Sequence, residues 1–300
     1  MEKTITQSQS RDVVHQDRVP ECTTRDRDLL GVFQHVRFAE TGQLASAFIP
    51  TLFPSYQTLR VRLGKLCRAG VLDRPGRRIK SDPYAIVSDT RMNGRPQDIW
   101  ALGPRGAELL ALPGDWARNN GRLRAASFPH GLGITKVFLT LKLAAVRKLI
   151  DIEEWRPENQ FRESVVVAGE RLTMIPDATA VIADNRSDRD TTVFLEIDNG
   201  TEPIERSSFR QASFGRKTPA YQAYWETVIR PQHGAMVVLT VARTRERALA
   251  LQAATGAKHP HPRNLFWFAA ISDWPITNPE RFLYERMWTT GAGENRALFE

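Results

Sequence analysis

SYQTLRVRLGKLCRAGVLDR, residues 55–74, is the stretch on which the fold turns. Ser55 stands where a helix N-cap is expected, YQTLRVRLGKLCRA follows without a proline, and Gly70 occupies the usual C-terminal stop. At about 100° per residue, Leu59, Leu63 and Leu66 fall within about one third of the circumference. Gln57, Val61, Gly64, Lys65 and Arg68 then point the other way, with Arg60 on the flank. A helix that reads DNA needs this division: the inner face holds the fold, the outer face offers donors to bases and phosphates. An ordinary core helix with a solvated basic face would look similar, so the flanking elements decide.

Upstream, Thr24 is placed to cap a first helix whose Leu29, Leu30, Phe33 and Val36 make one apolar face. Thr41 begins a second, GQLASAF, stopped by Pro50. Downstream, VLDR and DIWAL read as two strands around a polar, basic loop carrying Pro75, Gly76, Pro83, Gly94 and Pro96, and Gly103-Pro104 opens the helix RGAELLAL. Helix, helix, helix, strand, wing, strand, helix is the order of a winged helix-turn-helix, expected over residues 24–112. Between residues 60 and 80, Arg60, Arg62, Lys65, Arg68, Arg74, Arg77, Arg78 and Lys80 face a single acid, Asp73. From this set and the helix face, Gln57, Arg60, Lys65, Arg68, Arg77, Arg78 and Lys80 are the residues expected to touch double-stranded DNA.

The charge of the whole chain agrees. The net +8 is uneven: residues 1–130 hold 20 Lys and Arg against 13 Asp and Glu, residues 131–300 hold 22 against 21. No apolar run reaches the eighteen or so residues a membrane helix needs, and residues 1–23 read as a polar, flexible tail without a secretory signal. Cys22 and Cys67 lie far apart and lack zinc-ligand spacing, which fits a reducing cytoplasm, with Cys67 on the apolar side of its helix.

Residues 113–130 read as a linker and residues 131–300 as a second domain. A long amphipathic helix is expected from Gly133, with Val137, Leu141, Ala144 and Ala145 on one side and lysines on the other. ERLTMIPDATAVIAD and TTVFLEID are expected as strands joined by NRSDRD, then helices near 204–213 and 219–229, then strands AMVVLTVA and NLFWFAA around the helix RERALALQAAT. The class is α/β (α+β), a mixed sheet flanked by helices behind the DNA-binding unit.

Three acids in the hairpin could carry chemistry. Asp177 follows Pro176, and Glu196 and Asp198 alternate with Ile197, which places both on one face of a strand. If the three converge, oxygen ligands of this kind suit Mg²⁺, with Asp177 and Glu196 as metal ligands and Lys217 as the accompanying cation. The bland alternative is a turn residue and two solvent-facing strand acids. Pro219 leaves open whether Lys217 and Tyr221 share a helix face. Glu158 and Glu163 are further acids that no spacing argument selects, and His130 stands before a helix, to cap it or line the domain interface. His259 and His261 in KHPHP read as a rigid surface loop, and Tyr221, Tyr224 and Trp225 as core.

Pro-Asp, then acid-x-acid, then a lysine on the next helix resembles the PD-(D/E)xK nuclease superfamily, whose fold is a restriction-endonuclease-like mixed sheet. The chain departs from it at Asp198, where that superfamily normally has lysine; Lys217 would act in its stead. Taken together, the winged helix, FPHGLGITKVFLTL, PDATAVI, FLEIDNGTEPIER and the downstream Lys/Tyr resemble the replication-relaxation family of plasmids and mobile elements, over roughly residues 24–230. The resemblance implies an origin-associated accessory factor in plasmid replication or mobilisation. Two other functions remain open: an Mg²⁺-dependent endonuclease using Asp177, Glu196, Asp198 and Lys217 as catalytic residues, and a winged-helix transcriptional regulator. Besides double-stranded DNA, the partners in view are a relaxase or other replication proteins and a second copy of the chain.

Overall fold

A computed structural model describes residues 22–75, 97–113, 127–157, 160–187, 189–204, 213–232, 234–258 and 265–300. It is a mixed α+β protein in which a large sheet is flanked by helices.

The first half opens with α1 (Thr24–Gly31) and a tight turn over Val32–Gln34. The cap is Thr23, one residue before the expected Thr24. Asp26 lies three residues on, so its carboxylate takes the Thr23 N–H (2.7 Å) while Thr23 Oγ1 accepts from the Asp26 N–H. From Thr24 the third residue is Arg27, which carries no acceptor to complete such a box. Next come β1 (Ala39–Glu40), α2 (Thr41–Phe48) and α3 (Tyr56–Arg68), the last capped by Ser55 Oγ on the Thr58 N–H at 3.2 Å. Gly70 ends α3 at φ +71°, a left-handed position that costs glycine nothing.

β2 (Leu72–Asp73) and β3 (Ile99–Leu102) are the expected pair, and β1 joins them in an antiparallel sheet ordered β1-β3-β2. β1, only two residues long, is too short to show a period. The expected wing loop, residues 76–96, lies outside the described residues, and Arg77, Arg78 and Lys80 with it. α4 (Pro104–Leu109) closes the unit; a Cβ on Gly106 would stand 2.2 Å from the Val71 carbonyl oxygen, so only glycine lets this helix lie on the turn after α3.

α5 (Ser127–Val146) begins before the expected Gly133, so residues 127–130, placed in the linker, are its first turn. Pro129 does not oppose this, because a first-turn residue has no intrahelical N–H bond to lose. Nor is the helix one-sided. Phe128 and Leu132 pack with Phe38 and Ile99 of the first half, while Val137, Leu141 and Ala144 join the sheet's core. Gln43 donates to the Leu132 carbonyl (2.9 Å), and Thr135 to that of Phe38. The two halves thus share one core through α5. Lys136, expected on a solvated face, reaches the Ile271 carbonyl and lies over Trp274.

The sheet runs β12-β11-β10-β9-β8-β7-β4. Its strands are β4 (Ile150–Pro157), β7 (Ala178–Asp184), β8 (Arg189–Asp198), β9 (Met236–Ala242), β10 (Phe266–Ala270), β11 (Trp288–Thr290) and β12 (Asn295–Arg296). β8, β9 and β10 are parallel; α6 (Phe214–Tyr224) connects the first two and α7 (Arg245–Lys258) the last two. α8 (Pro279–Tyr284) follows β10. ERLTMIPDATAVIAD, expected as one strand, is two. β5 (Glu163–Val167) and β6 (Glu170–Met174) form a separate hairpin, Pro176 interrupts the ladder for want of an N–H, and β7 starts after Asp177. Asp177 therefore sits in the bend before β7 rather than within a strand.

Candidate functional site

On α3 the division read from the sequence is realised. Leu59, Leu63 and Leu66 are fully buried, whereas Gln57, Arg60, Lys65 and Arg68 lie on the outer side and Val61 is 46% exposed between them. Two cations of the expected phosphate footprint are otherwise engaged. Arg62 Nε donates to Asp26 Oδ1 at 2.7 Å, and this bond with those from Thr23 outweighs the burial that would raise the Asp26 carboxyl, holding it below the usual range. Arg74 is bonded to Asp98 and lies over the Trp100 ring at 5.6 Å. Both fasten parts of the fold together, because an acid 36 or 24 residues away in sequence is brought beside them.

At the junction of β1 and α2, Glu40 is 2% exposed. It caps α2, accepting the Gln43 N–H, yet its Oε1 has no partner among the described residues, and burial pushes its pKa up to about 7.

The acids of the second half are drawn together differently from one another. Glu196, on β8, is 3% exposed; Lys217 Nζ donates to its Oε2 at 2.8 Å and the Tyr221 hydroxyl to its Oε1. Lys217 also lies 3.3 Å from Glu202 Oε2. Pro219 is inside α6 without breaking it: the Gly215 carbonyl that the missing N–H would have served accepts from Thr218 Oγ1 instead, at 3.3 Å. Lys217 and Tyr221 consequently stand one turn apart on one face, and both reach Glu196. Asp177 Oδ2 accepts the Ile197 N–H at 2.6 Å, and Oδ1 lies 3.1 Å from His130 Nε2.

Electrostatics ties these groups into a unit. Burial opposes the Lys217 charge, but Glu196, Asp177 and Glu202 outweigh it and hold the ammonium well above the usual lysine range. Burial, with Asp177 nearby, raises Glu196 against the pull of Lys217. Tyr221 is raised by burial and by the Glu196 charge. A cavity of about 300 Å³ opens beside them, with Arg171, Glu196, Glu202, Arg216, Lys217 and Tyr221 in its wall.

Asp198 shares the face of Glu196, as its alternation with Ile197 requires, but belongs to another cluster. Arg247 of α7 grips both of its oxygens (2.8 and 2.9 Å) and also donates to the Glu202 carbonyl, and the Gly200 N–H completes the loop at 2.8 Å. The three carboxylates do not meet as one ligand set. Opposite, a Cβ on Gly133 would stand 2.7 Å from Ile197, so α5 lies closely on β8.

An Mg²⁺ ion at Asp177 and Glu196 does not fit this arrangement. All four of their oxygens already have a donor or cation beside them. Among the described residues, no group of three or more His, Cys, Asp or Glu is disposed to hold a metal. The Lys217 ammonium, between Glu196 and Glu202, supplies the positive charge that an ion would bring. Residues 205–212, Glu158, His259 and His261 lie outside the described set.

The replication-relaxation family model matches residues 30–239. The chain belongs to the replication-relaxation family. Membership suggests a role in plasmid or mobile-element replication or relaxation. No curated protein and no solved structure matches the chain. The matched span takes in α3, His130, Asp177, Glu196, Asp198, Lys217 and Tyr221, and stops before Arg247. In this family member, sequence reasoning missed His130, Glu202 and Arg247 as partners of the acids. His130 had a signal, its place in FPHGLG of the family resemblance; Arg247, 49 residues from Asp198, had none. Tyr221 is buried, as a core residue should be, and is in addition a hydrogen-bond donor to Glu196. Among the described residues, no helix is long and apolar enough to cross a membrane.

Proposed function

We propose that this replication-relaxation protein is a cytoplasmic double-stranded-DNA-binding accessory factor of a plasmid or mobile element, acting at an origin in replication or mobilisation. Its first half would be a winged helix that supplies affinity and location. Its second half, a PD-(D/E)xK-like sheet whose carboxylates are held by Lys217, Tyr221, His130 and Arg247, would serve as the scaffold to which a relaxase, another replication protein or a second copy docks. One observation carries the reading: the outer face of α3 presents Arg60, Lys65 and Arg68 while three buried leucines hold its inner face. Cations so displayed displace counterions from phosphates, and binding weakens with salt in proportion to the number of phosphates neutralised.

Fluorescence anisotropy of a labelled duplex across a salt series of roughly 50–200 mM tests it. Replacing Arg60, Lys65 and Arg68 with alanine is expected to weaken binding, and the loss of Arg60 and Lys65 to lower the log–log salt slope by about one for each phosphate left without its cation. Unchanged affinity and slope would refute the reading. Incubating supercoiled plasmid with the protein and Mg²⁺ or Mn²⁺ tests the scaffold role: intact plasmid supports it, and nicking that Asp177→Ala abolishes would make the second half an endonuclease instead.

A further inference from the structure

The outer face of α3 is itself divided. At about 100° per residue, Gln57, Val61, Gly64 and Arg68 lie along one stripe about 60° wide, and Arg60 and Lys65 flank it on either side. Val61 is nearly half exposed at the middle of the basic outer face of α3, where water gains nothing from an isopropyl group. Gly64 beside it presents no side chain at all; a Cβ there would meet only the end of Arg68, at 3.8 Å, so the fold does not require this glycine. Helix propensity argues against it by about 1 kcal/mol relative to alanine. At Gly64, between an amide, an isopropyl and a guanidinium, the end of Arg68 is the one group a Cβ would meet, and the missing Cβ lets the helix backbone press closer into a groove.

Resting on the DNA-binding reading above, we propose that this stripe reads bases in the major groove while Arg60 and Lys65 hold the phosphates on either side. Gln57 pairs with an adenine and Arg68 with a guanine, each by the donor and acceptor pattern that base edge offers, while Val61 makes an apolar contact with a thymine 5-methyl and Gly64 permits the approach. With a rise of about 1.5 Å per residue, Val61 lies about 6 Å from Gln57 and about 10 Å from Arg68. At about 3.4 Å per base step, the thymine falls about two steps from the adenine and about three from the guanine.

Selection from a randomised duplex library at fixed salt yields the preferred site, and anisotropy then compares thymine with deoxyuracil at the matching step. The wild-type protein is expected to bind about 4-fold more weakly without that methyl, the worth of one buried methyl group, while Val61→Ala becomes indifferent to it. Gly64→Leu is expected to lose preference for the site while melting no lower than wild type. Arg68→Ala relaxes the choice of guanine by roughly 5- to 150-fold, the span of one bidentate pair. If Arg60→Ala and Lys65→Ala weaken binding to every duplex but Val61→Ala and Gly64→Leu keep the wild-type site and its response to the methyl, the stripe does not read bases. If no duplex is bound in a manner that depends on Arg60 and Lys65, the DNA-binding reading fails first.

Discussion

Replacing Glu40 with glutamine isolates the effect of one buried charge on the first half of the chain. Glu40 is 2% exposed, and burial raises its carboxyl from the ordinary 4.5 to about 7. The folded protein therefore keeps a proton that the unfolded chain releases near pH 4.5. The contribution is fully present below that value, falls as the pH rises, and is lost once the pH passes about 7. At about 1.4 kcal/mol per pH unit, the decline amounts to about 3 kcal/mol. Glutamine cannot ionise, and its carbonyl oxygen can still accept the Gln43 N–H that caps α2. Urea unfolding at about pH 4.5 and about pH 8, with other titrating groups common to both proteins, is expected to show Glu40→Gln gaining about 3 kcal/mol on wild type across the interval. Parallel profiles would refute the reasoning, because they would mean that Glu40 finds a partner or water in the folded state.

Three further outcomes follow from the packing. Arg62→Ala removes the partner of nearly buried Asp26 and is expected to cost about 2–3 kcal/mol in urea unfolding at neutral pH, less as Asp26 protonates in acid, while the DNA salt slope stays unchanged. Lys217→Met leaves Glu196 buried without its cation and is expected to cost about 2–3 kcal/mol, less than a fully buried pair because the lysine is 35% exposed; adding Glu196→Gln should restore most of it, and a thermal melt of the double variant no better than the single one would contradict the pairing. Gly106→Ala forces a Cβ to within 2.2 Å of the Val71 carbonyl and is expected to cost about 3 kcal/mol, read as early loss of tryptophan fluorescence from Trp100 in the adjacent sheet.

The sequence by itself determined whatever repeats along the chain. The spacing of Leu59, Leu63 and Leu66 set which side of α3 faces in, and the alternation of Glu196, Ile197 and Asp198 put both acids on one face of β8, because helix and strand periods are local properties of the backbone. Short or interrupted elements left little trace: β1 is only two residues long, and Pro219 reads as a break in sequence although Thr218 serves the carbonyl it leaves open. Tertiary structure alone decided which charge meets which. Arg62 finds Asp26, Arg74 finds Asp98, and Asp198 finds Arg247 across separations of 36, 24 and 49 residues. Ion pairing is dictated by proximity in a desolvated interior, and proximity belongs to the packed chain. The described cations of residues 60–75 thus separate into those that build the α3 unit and those displayed on its outer face, and the three acids separate into Glu196 bound by Lys217, Asp177 beside His130 and the Ile197 N–H, and Asp198 clamped by Arg247, only once the folded chain brings the partners together.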